Sequence, residues 1–257
     1  MAAVNPTRLR CGACAWLLTL QFFVVETVVQ QRHDGPYSRS DDVISDLGAA
    51  TSAAHQLMNA SFVLQAALIL AGAVLLRPVL LGAAGRVVPV LLGGAAAGVL
   101  LVGVFPTDGN ATMHAIGAVL YLVGGGLGLI ALAYAVRPRS EVLGTALALL
   151  GLIGTAATAF FLTDVTQYLG TGGTERAAAY VLPIGLALAG AALWRLGNEA
   201  VPDRAARRAE RDQERAERAE RDRQRDAALE AAAGRGAENT DAPDPEDPWA
   251  APRSREN

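Results

Sequence analysis

A helix needs about 20 apolar residues to cross the hydrocarbon core of a bilayer. This chain carries six such runs, at about 11–30, 54–76, 79–105, 113–136, 142–163 and 177–196. No other feature restricts the fold as hard. In lipid every backbone N–H and C=O must be satisfied within the segment, which leaves helices as the structure for runs of this length. The third run is interrupted by 82–86, so its membrane part is expected at 87–105. The predicted fold class is all-α, a polytopic membrane bundle of six transmembrane helices.

Charge supports the same division. Only 9 of the 25 acidic residues precede position 199, although the whole chain is 18% charged. Residues 1–198 therefore read as the membrane domain and 199–257 as a charged tail. Within the tail, 203–233 is almost all Arg, Glu, Asp, Gln and Ala, with Glu and Arg three and four apart, the pattern of a solvated helix. Leu229 is the lone leucine there, which argues against a coiled coil. The Pro-rich, acidic 234–257 is expected to be disordered, and the tail is the place for a protein partner, if there is one. The first run lasts about 20 residues, contains Glu26 and lacks a small-x-small site before Gln30, so a retained helix is expected rather than a cleaved signal.

Arginine placement orients the bundle. Arg8 and Arg10, Arg77 and Arg86, Arg137 and Arg139, and Arg195 fall at one set of helix ends, and the intervening loops hold most of the membrane domain's acids. By the positive-inside rule both termini are expected in the cytoplasm of a bacterial cell whose plasma membrane the chain crosses. His33, His55 and His114 then all fall at the outer face. Every basic residue is arginine, so no glycine-rich loop carries the lysine of a nucleotide site, and neither nucleotide nor nucleic acid is an expected partner. The expected surroundings are lipid. Cys11 and Cys14 stand alone, without the further ligands of a zinc site, and read as small apolar residues at a helix start.

Two outer stretches concentrate chemistry: 35–55, reading GPYSRSDDVISDLGAATSAAH, and 105–114, reading FPTDGNATMH. Each can be read plainly. Ser40 or Asp41 can cap a short helix ended by Gly48, 106–109 can be an ordinary turn, and His55 and His114 can sit exposed at helix starts. Read together, Asp46, His55, Asp108 and His114 are oxygen and nitrogen ligands suited to a divalent ion such as zinc, or an acid–base set with an aspartate orienting a histidine. Glu26 is costly in lipid and should face the bundle or a wet cavity, with Gln21, Gln56, Asn59 and Gln65 lining the same region.

Several of these residues resemble a known family. The segments Gly35-Pro36-Tyr37-Ser38, Ile44-Ser45-Asp46-Leu47-Gly48-Ala49, Met58-Asn59 with Phe62, and Gly103-Val104-Phe105-Pro106-Thr107-Asp108 with His114 occur in order. Together they resemble the bacterial domain of unknown function 998 family, multi-helix integral membrane proteins, many of them actinobacterial, with no assigned activity. The resemblance spans about 17–194 and implies that Ser45, Asp46, Asn59, Asp108 and His114 occupy the family's polar positions; His55 and Glu26 lie outside its boxes. Candidate ligand-binding residues are Glu26, Tyr37, Asp42, Ser45, Asp46, His55, Asn59, Asp108 and His114, with Ser45, Asp46, Asp108 and His114 the candidates for catalysis. The cofactor is left unassigned. Three classes of function fit: an outer-face binding, sensing or scaffold protein, expected first; a membrane hydrolase using His and Asp with or without metal; and a transporter, which lacks the mirrored polar residues of a through-path.

Overall fold

The structure, a computed structural model, describes residues 5–196 and 204–240, and every regular element among them is helical. Nine α-helices follow in order: α1 (Pro6–Leu18), α2 (Gln21–Gln30), α3 (His55–Leu76), α4 (Ala84–Val104), α5 (Ala111–Val136), α6 (Glu141–Leu162), α7 (Thr171–Ala179), α8 (Val181–Leu196) and α9 (Arg204–Thr240). They supply six helices long and apolar enough to cross a membrane: Pro6–Gln30, His55–Val79, Ala84–Val104, Ala111–Val136, Glu141–Leu162 and Thr171–Arg195. The protein is a six-span, all-α membrane protein.

Two spans are each made of two helices, and one proline accounts for much of this. Pro183 has no N–H and its ring crowds the carbonyl four residues back, that of Ala179. The α7–α8 boundary falls there, at Tyr180. The Ala179 carbonyl instead accepts from the Tyr121 hydroxyl of α5 at 3.2 Å. The Pro183 carbonyl accepts from Thr19 Oγ1, a fully buried hydroxyl at the α1–α2 break that also bonds Trp16 O at 2.6 Å. Thr19 thus ties the two interruptions together, while Tyr121 supplies the bond that the Ala179 carbonyl lacks, as backbone at membrane depth requires.

Small residues set the packing elsewhere. At the α4–α5 crossing, Gly98 and Gly117 face each other so closely that a Cβ on Gly98 would lie 2.5 Å from Tyr121 N, and one on Gly117 2.7 Å from Gly98 O. Close backbone approach of this kind replaces the hydrophobic drive that lipid cannot provide. The large buried side chains Trp16, Met58, Ile69, Leu92, Leu129 and Leu186 fill the interior, while Val90, Leu152 and Phe160 point outward as a lipid-facing surface would.

The loops 31–54, 105–110 and 163–170 gather at one end of the bundle, shown by Ala50 N donating to Asp108 Oδ2 and Gly173 N to Ser40 O. At the opposite end, Arg8 donates to the Val74 and Leu75 carbonyls and Arg139 Nε to the Val79 carbonyl, so these arginines close helix C-termini. Several bounds differ from the sequence expectation. Helix α4 begins at Ala84, taking in Arg86, and the sixth span begins at Thr171 rather than 177, which moves Glu175 and Arg176 from a loop into a helix. Residues 201–257 form a separate unit, in which α9 runs to Thr240, past the expected end at 233. Glu220–Arg223 at 2.9 Å is one of its supporting pairs. Disorder was expected over 234–257, but 234–240 continues the helix, and 241–257 falls outside the described residues.

Adding a methyl at the α4–α5 crossing tests the packing. Gly98→Ala or Gly117→Ala should destabilise the bundle by about 1–3 kcal/mol, lowering its melting temperature in detergent by roughly 2–10 °C. Gly93→Ala, with nothing within 4 Å of the added atom, should leave it within about 2 °C.

Candidate functional site

Glu26 decides how the loop end is built. Its carboxylate is fully buried on α2, about one turn before that helix ends. An unpaired charge there would be prohibitive. Arg176, on α7 and only 6% exposed, donates to it through Nε at 3.0 Å, and the Tyr180 hydroxyl donates to its other oxygen at 2.6 Å. Arg39, half exposed, reaches within 3.5 Å of the same carboxylate.

Arg176 does more than neutralise. Its Nη1 donates to the carbonyls of Arg39 at 2.8 Å, Asp42 at 2.8 Å and Gly172 at 3.1 Å, and its Nη2 to the Tyr37 hydroxyl at 2.5 Å. Its guanidinium also lies 5.6 Å from the centre of the Tyr37 ring. The rigid fork of donors thus fixes the 37–42 loop onto α7. The approach is so close that Gly172, beside Asp42 O, and Gly170, beside Ser40 O with φ of +75°, leave no room for a side chain. Burial pushes the Tyr37 hydroxyl up to about 12 even though the Arg176 guanidinium beside it pulls the other way. Tyr37 therefore stays protonated, accepting from Arg176 while donating to the Val43 carbonyl at 3.0 Å.

The clamp places a turn over an internal cavity. Residues Ile44–Gly48 form a short 3₁₀ turn; Glu175, next to Arg176 on α7, accepts from Ile44 N at 2.5 Å, and Asn59 Nδ2 donates to the Gly48 carbonyl at 2.9 Å. Beneath lies a cavity of about 40 Å³ with Ser45, Gln65, His114, Tyr121 and Glu175 as its polar lining and Phe22, Phe62, Val99 and Leu122 among its apolar walls. That volume has room for a few waters and falls well short of the ~150 Å³ that admits benzene. His114 Nδ1 lies 2.9 Å from the Phe105 carbonyl, which can only accept. In the neutral ring this fixes Nε2 as the bare acceptor. Gln65 is fully buried; its Oε1 accepts from Gln21 and its Nε2 has no partner. Among described residues Glu175 has no ion-pair partner, since the Arg176 nitrogens are turned to other acceptors.

The residues singled out in the sequence fall into separate places. Ser45 and His114 line the cavity. Glu26, Tyr37 and Asp42 belong to the Arg176 clamp, where Asp42 contributes its carbonyl and its carboxylate takes Ser38 N at 2.7 Å. Asn59 and Asp108 pin the loop, the latter through Ala50 N at 2.8 Å. His55 turns to the Ser52 carbonyl at 2.8 Å. Among the described residues no three His, Cys, Asp or Glu side chains come close enough to hold a metal ion, so Asp46, His55, Asp108 and His114 are not gathered as a ligand set. Burial holds the Asp46 carboxyl above the usual carboxylate range, with Asp42 adding to the rise and His33 and His114 opposing it. Glu175, Arg176, Tyr121 and Tyr180 were missed in the sequence. The available signal was Glu26 itself, a buried acid that required one of the few arginines at its own end of the bundle.

A family model described as "Protein of unknown function (DUF998)" matches residues 17–196. The chain belongs to the DUF998 family. Comparison with curated proteins gave no match, and comparison with solved structures gave none. The matched DUF998 region contains every residue of the clamp and of the cavity lining, and it ends before α9.

Two outcomes test this geometry. Glu26→Leu, which strands Arg176, should lower stability by about 3–5 kcal/mol, whereas Arg39→Leu at the exposed pair should change it by no more than about 1 kcal/mol; denaturation in mixed micelles measures both. The second test is a pH series. Because the fold raises the Asp46 pKa, the stability that protonation contributes is fully present below about pH 4, its unfolded value, and is lost as pH rises through the folded value. Asp46→Asn should therefore be more stable than the wild type at pH 7, with the gap closing below about pH 4.

Proposed function

We propose that this DUF998 member is a binding protein of the bacterial plasma membrane, with both termini cytoplasmic, that receives a small polar ligand from the outer side in the cavity under the Ile44–Gly48 turn. The observation that carries the reading is the unpartnered Gln65 Nε2, fully buried and set in the wall of a cavity that also presents His114 and Glu175. Buried polar groups of this kind normally have partners, and a bound ligand supplies them. The orientation rests on the arginines at the far end, Arg8, Arg77, Arg137, Arg139 and Arg195.

A second reading, hydrolysis, has one observation in its favour. Ser45 and His114 line the same cavity, and the Phe105 carbonyl holds His114 Nε2 as a proton acceptor, the arrangement a serine nucleophile requires of its base. Binding is preferred because no bond from the Ser45 hydroxyl to His114 is present among the described hydrogen bonds.

Ligand-observed NMR with a library of small polar fragments, on protein in detergent, tests the first reading. Fragments should bind the wild type and lose contact in a folded Ala118→Phe variant, whose new ring fills the cavity. Binding indifferent to that substitution sinks the proposal. Labelling of Ser45 by a fluorophosphonate, lost in His114→Ala, would move the protein to the hydrolase class.

A further inference from the structure

We propose that the cavity is built for a compact protonated amine with an oxygen two carbons away, the chemistry of ethanolamine, whether free or as a lipid headgroup; this rests on the binding reading above. The donors and acceptors that line the cavity select this class. Glu175 brings a carboxylate with one oxygen on Ile44 N and the other without a partner among the described residues. His114 brings Nε2 as an acceptor, because Nδ1 is spent on the Phe105 carbonyl. Ser45 brings a hydroxyl that can accept a third bond. Against these acceptors, to which the Tyr121 hydroxyl oxygen adds another, stands the Gln65 Nε2 amide with two N–H donors and no partner, held in place by the bond from Gln21 to Gln65 Oε1.

A primary ammonium has three N–H donors and one positive charge, which match the three acceptors and the unpaired carboxylate. The two N–H groups of the Gln65 amide ask for an acceptor oxygen on the same small molecule. Size completes the class. A cavity of about 40 Å³ takes only a few non-hydrogen atoms and excludes the three extra methyl groups of a quaternary ammonium. A neutral diol brings no positive charge to Glu175, and a ligand whose only charge is negative would be repelled by it.

Thermal-shift and calorimetric titrations of the full chain in detergent, with ethanolamine, methylamine, choline and ethylene glycol as probes, test the proposal. Ethanolamine should bind most tightly, methylamine more weakly for lack of the oxygen, and choline and ethylene glycol not at all. Glu175→Gln should weaken ethanolamine roughly 10- to 100-fold, the range for loss of a charged hydrogen bond. Gln65→Leu should abolish the preference for ethanolamine over methylamine while leaving methylamine affinity within about threefold, which keeps the test decisive if Glu175→Gln does not fold. Nanodiscs separate the two sources: phosphatidylethanolamine discs that block free ethanolamine, where phosphatidylcholine discs do not, assign the headgroup, and equal binding in both assigns the free amine. Ethylene glycol or choline binding as well as ethanolamine, or unchanged affinity in Glu175→Gln, overturns the amine class and leaves the binding reading intact. If no probe or fragment binds in a way that Ala118→Phe removes, both proposals fall together.

Discussion

The loop end of this protein depends on one guanidinium. Glu26 is an acid buried in a helix that otherwise faces hydrocarbon and packed side chains, and such a group persists only if a cation and further donors meet it. Arg176 meets it and spends its remaining N–H groups on three carbonyls and a phenol. Three of those four further partners, at Tyr37, Arg39 and Asp42, lie on the 31–54 segment, so the ion pair that neutralises α2 also anchors the longest loop of the membrane domain. Removing either charge would affect both.

The cavity follows from that anchoring. With 37–42 held against α7, the next residues must turn back across the bundle end, and Ile44 N is delivered to Glu175 and the Gly48 carbonyl to Asn59. Neighbouring residues on α7 thus face opposite duties: Arg176 looks toward α2 and the loop, and Glu175 toward the cavity. Successive residues on a helix lie about 100° apart, which is what lets one charged pair of neighbours serve two environments. The Pro183 interruption contributes as well. It frees the Ala179 carbonyl for Tyr121, and that bond fixes a cavity wall.

Much of this was legible in the sequence, and the failures are specific. Six apolar runs, the charged tail and the family resemblance all follow from local composition and motif. The meeting of the 35–55 and 105–114 stretches was expected from their shared side, and Ala50 to Asp108 is the contact that makes it. Ser45 and His114, both in the boxes that carry the family resemblance, line one cavity. Arg176 did not, because it was read as an outer-loop charge, and the helix that carries it starts six residues earlier than hydropathy indicates. Gly170 and Gly172 look like loop residues, yet here they allow the start of α7 to lie against the Ser40–Asp42 backbone. Asp108 and His55, which looked like part of a ligand set, are used to hold backbone: Asp108 takes Ala50 N across the two loops, and His55 bonds the Ser52 carbonyl three residues back, as short polar side chains near a helix start readily do.

Local composition was enough for the number of spans, the all-helical class and the separation of membrane domain from tail. These depend on the cost of exposing charge or unbonded backbone to lipid, a quantity each segment carries alone. Which polar residues meet depends on how the helices pack. Glu26 and Arg176 are 150 positions apart, Ser45 and Glu175 line one cavity from different elements, and Gln65 faces it unpartnered. Such pairings arise from helix rotation and depth, set by glycine contacts and a proline break acting across the whole bundle. A single stretch of sequence does not contain them.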